Sequence, residues 1–273
     1  MPDTVLIIGG HGKTGSRVNA RLVSRGIATR PASRSTAIPF DWEQPDTWAA
    51  ALDGISRAYV TYHPDIAVEG AADAIAALGH LARQKGLRHI VLLSGRGEPG
   101  AARAEEALKA SGVSWTILRA SWFNQNFSEG YLIDGVLGGE IMLPAAPVPE
   151  PFVDVDDIAD VATAALTDDR HINKLYELTG PRAITFAEAV AEIAAATGRQ
   201  IRYQQISADD FACGMRQADV PEEIIALLNE LFAEVLDGRN SQVMRGVEEA
   251  LGRPARDFAD FARAVAAAGV WGG

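Results

Sequence analysis

The chain reads as an α/β protein: a Rossmann-type doubly wound parallel sheet with a smaller, mostly helical C-terminal lid. Three observations carry that expectation. A glycine-rich turn, Gly9-Gly10-His11-Gly12-Lys13-Thr14-Gly15, follows the first apolar run. Short β-rich runs then alternate with amphipathic segments as far as Trp122. Beyond that point helical stripes take over. Parallel neighbours need crossovers, and helices must cover both faces of such a sheet.

Each element has its own local reason. "TVLIIGG" is a β-branched apolar run ended by glycine, as in a buried parallel strand. From Thr14 to Ser24, the apolar residues Val18, Leu22 and Val23 share a helical face. "GIATRPASR" is the second strand, and Pro31 places it near an edge. "AIPFDW" is expected as a short third strand and "RAYVTY" as a fourth, followed by an alanine-rich helix over Ala67–Gln84. "RHIVLLSG", a helix over Ala101–Ala110 and "SWTILRA" complete the first half.

After Trp122, "GGEIMLPAAPVPEPF" reads as a proline-rich loop. "FVDVDDIADVATAAL" reads as a short strand feeding a helix, and "KLYELTG" as one more strand. The acids Asp154, Asp156 and Asp157 are expected at that helix start, where its dipole favours carboxylates. Thr185 and Glu188 form a capping box, and Pro221 suits a first helical position before the stripe Ile224, Leu228, Leu231 and Val235. The expected division gives residues 1–122, with 152–180 returning, to a cofactor domain. Residues 123–151 and 181–273 form the lid.

Composition excludes several classes. The 273 residues carry 36 acids against 25 bases, a net charge of −11, which argues against a nucleic-acid surface. The single cysteine, Cys213, excludes an internal disulfide and a thiolate zinc cluster, and is expected to pack in the lid. The five histidines show no metal-binding spacing. No signal-peptide pattern or bilayer-length apolar run is visible, so the cytoplasm is the expected location.

Gly12-Lys13-Thr14 resembles the end of a P-loop, but the required glycine, five positions before Gly12, is Ile7. Gly10-His11-Gly12-Lys13-Thr14-Gly15 instead fits G-x-G-x-x-G at the first strand–helix junction, the place of a dinucleotide pyrophosphate. An acid normally ends the second strand to bind the ribose of NAD. Here Ser33, Arg34 and Ser35 offer a cation and two hydroxyls, which suit a 2′-phosphate and favour NADPH/NADP+. Asp41 and Trp42 could border the adenine.

The stretches "GGHGKTGSRV", "ASRST", "FDW", "WTILRASWFNQNF", "PFVDVDDIADVATAAL" and "LTGPRAITFAEAVAEI" resemble the NmrA-like branch of the atypical short-chain dehydrogenases. Within it, the chain is similar to the agroclavine/festuclavine dehydrogenases over nearly its whole length. That resemblance implies an NADPH-binding Rossmann domain and a small domain closing a substrate cleft. It also implies reduction of a cyclic iminium. By the same resemblance, the Thr61–Pro64 loop with Tyr62 and His63, Ser94 and the Ala120–Phe123 stretch would surround the nicotinamide. Tyr62, Trp122, Phe123 and Asn126 would contact substrate.

One absence is chemical. No tyrosine has lysine four residues on, so the pair that protonates a developing alkoxide is missing. An iminium removes the need, because hydride addition gives a neutral amine. A quinone or enone could draw its proton from solvent, Tyr62, His63 or Ser94. Three classes follow: an NADPH-dependent reductase of a small molecule, a non-catalytic NADP(H) sensor with a protein partner, and an isomerase or epimerase with bound nicotinamide. The aromatic "WFNQNF" stretch favours the reductase.

Overall fold

The computed structural model describes residues 4–272. In chain order the first elements are β1 (Thr4–Ile8), α1 (Lys13–Ser24), β2 (Thr29–Ala32), α2 (Trp48–Leu52) and β3 (Ile55–Val60). Next come α3 (Ala71–Gln84), β4 (His89–Gly95), α4 (Pro99–Ala110), β5 (Ser114–Ala120), α5 (Asn126–Glu129) and α6 (Ile133–Gly138). Then follow β6 (Glu140–Leu143), α7 (Val155–Thr167), β7 (Lys174–Leu178), α8 (Phe186–Thr197) and β8 (Arg202–Gln205). Four helices end the chain: α9 (Ala208–Gln217), α10 (Glu222–Glu230), α11 (Gly246–Leu251) and α12 (Phe258–Ala267).

Two compact units result. One holds residues 1–120, 155–178 and 245–254; the other holds 121–154, 179–244 and 255–273. The segment Arg245–Pro254, expected in the lid, belongs to the first unit. Gly246 makes this possible, because a side chain there would collide with the Glu177 backbone of β7. Arg253 then pairs with Asp157 and Asp160 on α7 at 2.7 and 2.6 Å.

The first unit is built on a six-stranded sheet in the order β2-β1-β3-β4-β5-β7, and every adjacent pair is parallel. Leu6, Ile8, Ala58, Val60, Ile90 and Leu92 alternate onto one face, against Ile75, Leu78 and Leu108 of the helices. The other face meets α1 and α7. β1 lies where strand order reverses, the switch point at which such sheets bind ligands.

β2 is the edge strand, as Pro31 requires. The expected strand "AIPFDW" does not pair. Pro39 removes a ladder donor, and Phe40 and Trp42 turn into an aromatic cluster with Trp48 instead (centroids 5.0–5.8 Å).

The second unit has its own core of Phe127, Phe152, Phe186, Phe211, Phe232 and Phe258, among others. β6 was expected as loop; it pairs in parallel with β8 from Glu140↔Arg202 to Leu143↔Gln205. The expected strand at "FVDV" is reduced to a single bridge, Phe123↔Val153. The capping box is present, with Glu188 N–H donating to Thr185 Oγ1 at 3.1 Å and Thr185 N–H to Glu188 at 2.7 Å. Pro221 caps α10 rather than starting it. The helix then widens into a π-helical turn over Leu231–Val235, so Phe232 is buried and Leu231 only half-buried. Cys213 is exposed rather than packed. Among the described residues, no helix is long and apolar enough to cross a membrane.

His89 carries a stability prediction. It is fully buried, 2.9 Å from Thr116 Oγ1, whose own proton goes to the His171 carbonyl at 2.6 Å. Burial, with the Arg57 charge second, pushes its imidazole down to about 4. The unfolded chain, with its ordinary value near ~6.5, binds a proton that the folded chain refuses between those limits. Stability is therefore complete above that range and falls as pH drops through it, by roughly 2–3 kcal/mol at pH ~4.5. Urea unfolding at pH ~7.5 and ~4.5 checks this against His89→Gln. An equal pH dependence in both proteins would contradict it.

Candidate active site

The glycine loop caps β1. Gly9 has φ +75°, and a Cβ there would collide with Thr61 Oγ1, which itself donates to the Ile8 carbonyl at 3.1 Å. Thr61 is thus a brace under the loop. Gly15 is buried at the start of α1, where a side chain would strike the Gly9 carbonyl. Gly12, between them, is exposed, and its Cβ position is 3.3 Å from the Gly9 oxygen. Together these positions let the loop lie flat on the helix while the Gly12 face stays open. That is the cradle a pyrophosphate needs, next to a helix N-terminus with its partial positive charge. Gly10 packs on Pro31, Thr14 is buried and Lys13 is half-buried in the first helical turn.

Ser33, Arg34 and Ser35 follow β2 directly, beside this loop: Ser33 Oγ is 3.3 Å from His11 Nδ1. Arg34 and Ser35 are exposed. Arg30, on β2, donates to the Ala51 and Asp53 carbonyls at 2.8 Å each and serves the fold. The Asp41 carboxylate closes its own turn, accepting from Glu43 N–H and Gln44 Nε2, each at 3.1 Å. Trp42 donates Nε1–H to the Thr61 carbonyl at 3.1 Å and packs on Tyr62 with centroids 4.6 Å apart.

Tyr62 and His63 follow β3. Burial, then the nearby Glu43 charge, holds the Tyr62 phenol above its ordinary range, so it stays protonated at neutral pH. His63 is exposed and precedes a cis proline. Asp65, in the same loop, is bonded to Ala67 N–H and to Glu98, and burial raises its carboxyl.

Ser94 differs from the expectation of an available proton donor. It is 3% exposed and donates to Glu105 Oε1 at 2.7 Å. Glu105 is fully buried and held by Arg119 through Nε (2.8 Å) and a terminal nitrogen (2.6 Å). Arg119 and Arg96 both lie 3.4 Å from Glu177. This network spans α4, β4, β5 and β7, with its carboxylate on α4. Nothing in the sequence around Glu105 marked it, because its partners lie 11 and 14 residues away on neighbouring strands.

In the second unit, Trp122 is half-buried against Phe186 and Phe232, with centroids at 5.5 and 5.1 Å. Phe123 is half-buried, and Asn126 begins α5. Gln125 donates to Asp154 at 2.9 Å. Asp156 pairs with Arg21 at 2.7 Å, and Asp157 pairs with Arg253. The "DVDD" acids therefore hold specific partners as well as a helix start.

Comparison with known proteins gives the family. Residues 9–169 match the NAD(P)H-binding family model, and residues 101–261 match the NmrA-like family. The NAD(P)H azoreductase of Xenophilus azovorans is 31% identical, covering 97% of this chain and 98% of its own. The agroclavine dehydrogenase of Claviceps fusiformis is 28% identical over 94% of this chain and 96% of its own. An Escherichia coli NADPH-dependent quinone oxidoreductase crystallised with NADPH superimposes with TM-score 0.80 at 20% identity, over 96% of this chain and 99% of that one. Loop, fold and relatives define the class of NAD(P)H-dependent oxidoreductases. The chain belongs to the NmrA-like family.

Proposed function

We propose that this chain takes hydride from NADPH and delivers it to a small conjugated electrophile, a cyclic iminium first and a quinone or enone next. The chain has no Tyr-x-x-x-Lys pair to protonate an alkoxide. The observation that carries this reading is the commitment of Ser94 to the buried Glu105–Arg119 pair, in a chain without Tyr-x-x-x-Lys. The relative named as an azoreductase supports an acceptor other than a simple ketone.

Bound nicotinamide supplies the hydride. The chain's residues bind and orient. Gly9, Gly10, Gly12, Lys13, Thr14 and Gly15 take the pyrophosphate; Ser33, Arg34 and Ser35 take the 2′-phosphate. Trp42 borders the adenine through its ring, with Asp41 shaping its turn. Thr61 braces the loop, Tyr62 and His63 border the reacting ring, and Trp122, Phe123 and Asn126 serve substrate. With an iminium, the new C–H bond pushes the C=N π electrons onto nitrogen and yields a neutral amine. With a quinone or enone, the oxyanion is protonated from solvent or from the protonated Tyr62 phenol. Proximity and orientation then supply most of the rate enhancement.

NADPH consumption against cyclic iminiums, quinones, enones and simple ketones tests the reading. Turnover of the first three classes with silent ketones supports it; silence throughout, with NADPH bound, favours a sensor. Cofactor choice gives a second test. Arg34→Ala should weaken NADPH binding by about 1.5–3 kcal/mol, roughly 10- to 150-fold, and leave NADH nearly unchanged. Equal losses for both cofactors would remove Arg34 from the 2′-phosphate.

A further inference from the structure

His11, the second residue of the Gly10–Gly15 fingerprint, is read there only as a spacer. Its imidazole Nδ1 nevertheless lies 3.3 Å from Ser33 Oγ, on the loop after β2. Ser33 Oγ is also 3.2 Å from Ser35 Oγ and accepts from Ser35 N–H at 3.4 Å. Arg34 lies between those serines in sequence, exposed and with no ion-pair partner among the described residues. No acid occurs from Ser33 to Pro39, although the chain carries an excess of acids.

We infer that His11 is a positioning residue for the adenosine 2′-phosphate, acting through Ser33; this rests on assigning Ser33, Arg34 and Ser35 to that phosphate. A serine oxygen has two acceptor positions and one proton. Donation from His11 Nδ1–H and Ser35 N–H fills both acceptor positions. The Ser33 proton then goes to Ser35 Oγ, 3.2 Å away, and the Ser35 hydroxyl proton is left to point outward, toward an anion. With the Ser35 hydroxyl fixed as a donor beside the exposed Arg34 guanidinium, the cluster favours a phosphomonoester dianion over an uncharged ribose hydroxyl.

Fluorescence titration of NADPH and NADH tests this on wild type, His11→Ala, Ser33→Ala and the double variant. The expected result is a loss of about 3- to 10-fold in NADPH affinity for His11→Ala, with NADH changed less than about twofold. The double variant should match Ser33→Ala alone, because His11 works through that hydroxyl. Unchanged NADPH binding in His11→Ala, equal loss for both cofactors, or additive losses in the double variant would each overturn the role of His11. A wild type that binds NADPH and NADH alike would overturn the 2′-phosphate assignment beneath it.

Discussion

Gly15→Val should abolish useful cofactor binding. Any Cβ at this buried position meets the Gly9 carbonyl and sits 3.0 Å from Gly10 Cα, so helix and loop must separate. Separation moves the loop amides from the pyrophosphate. Losing about two hydrogen bonds to a charged group, at roughly 1.5 kcal/mol each, weakens binding ~100-fold or more. Titration of NADPH by protein fluorescence reads this directly. Gly12→Ala offers a contrast on the open side of the loop, where the nearest atom is the Gly9 oxygen at 3.3 Å. Affinity of Gly15→Val within threefold of wild type would mean that this loop does not hold the pyrophosphate.

The second large effect concerns stability. Arg119→Leu strips the guanidinium from Glu105, whose side chain is 0% exposed, and leaves Ser94 as its remaining polar contact. Breaking a buried pair from one side costs about 3–5 kcal/mol, because a charge is left uncompensated. Arg119→Leu/Glu105→Leu removes both charges and should recover most of that loss. Urea midpoints of wild type, single and double variants decide it. A single variant less than about 1 kcal/mol below wild type would show that the network carries no such burden.

Much of the sheet was legible because local signals and tertiary packing agree there. "TVLIIGG", "RHIVLLSG" and "SWTILRA" are apolar runs too short for helices, and each became a parallel strand. "AIPFDW" failed because its alternation serves an aromatic cluster rather than a ladder. β6 was hidden because its four residues lie beside glycines and prolines, and its partner β8 is about 60 residues away. The glycine loop is a contiguous motif, with a steric reason at Gly9, Gly10 and Gly15. The Ser94–Glu105–Arg119 clamp is assembled across three elements, and no spacing rule reports it. His11 stood within the motif, but its partner Ser33 is 22 residues distant and met only through the pairing of β1 with β2.

Hydride delivery without a dedicated acid is tested most directly by a matched pair of acceptors. NADPH oxidation should be followed with one ring skeleton offered as a cyclic iminium and as the corresponding ketone, in wild type and in Tyr62→Phe. The iminium should turn over at the same rate in both proteins, and the ketone should be silent. Ketone turnover by wild type that is lost in Tyr62→Phe would contradict it, and would make Tyr62 the acid of an ordinary carbonyl reductase.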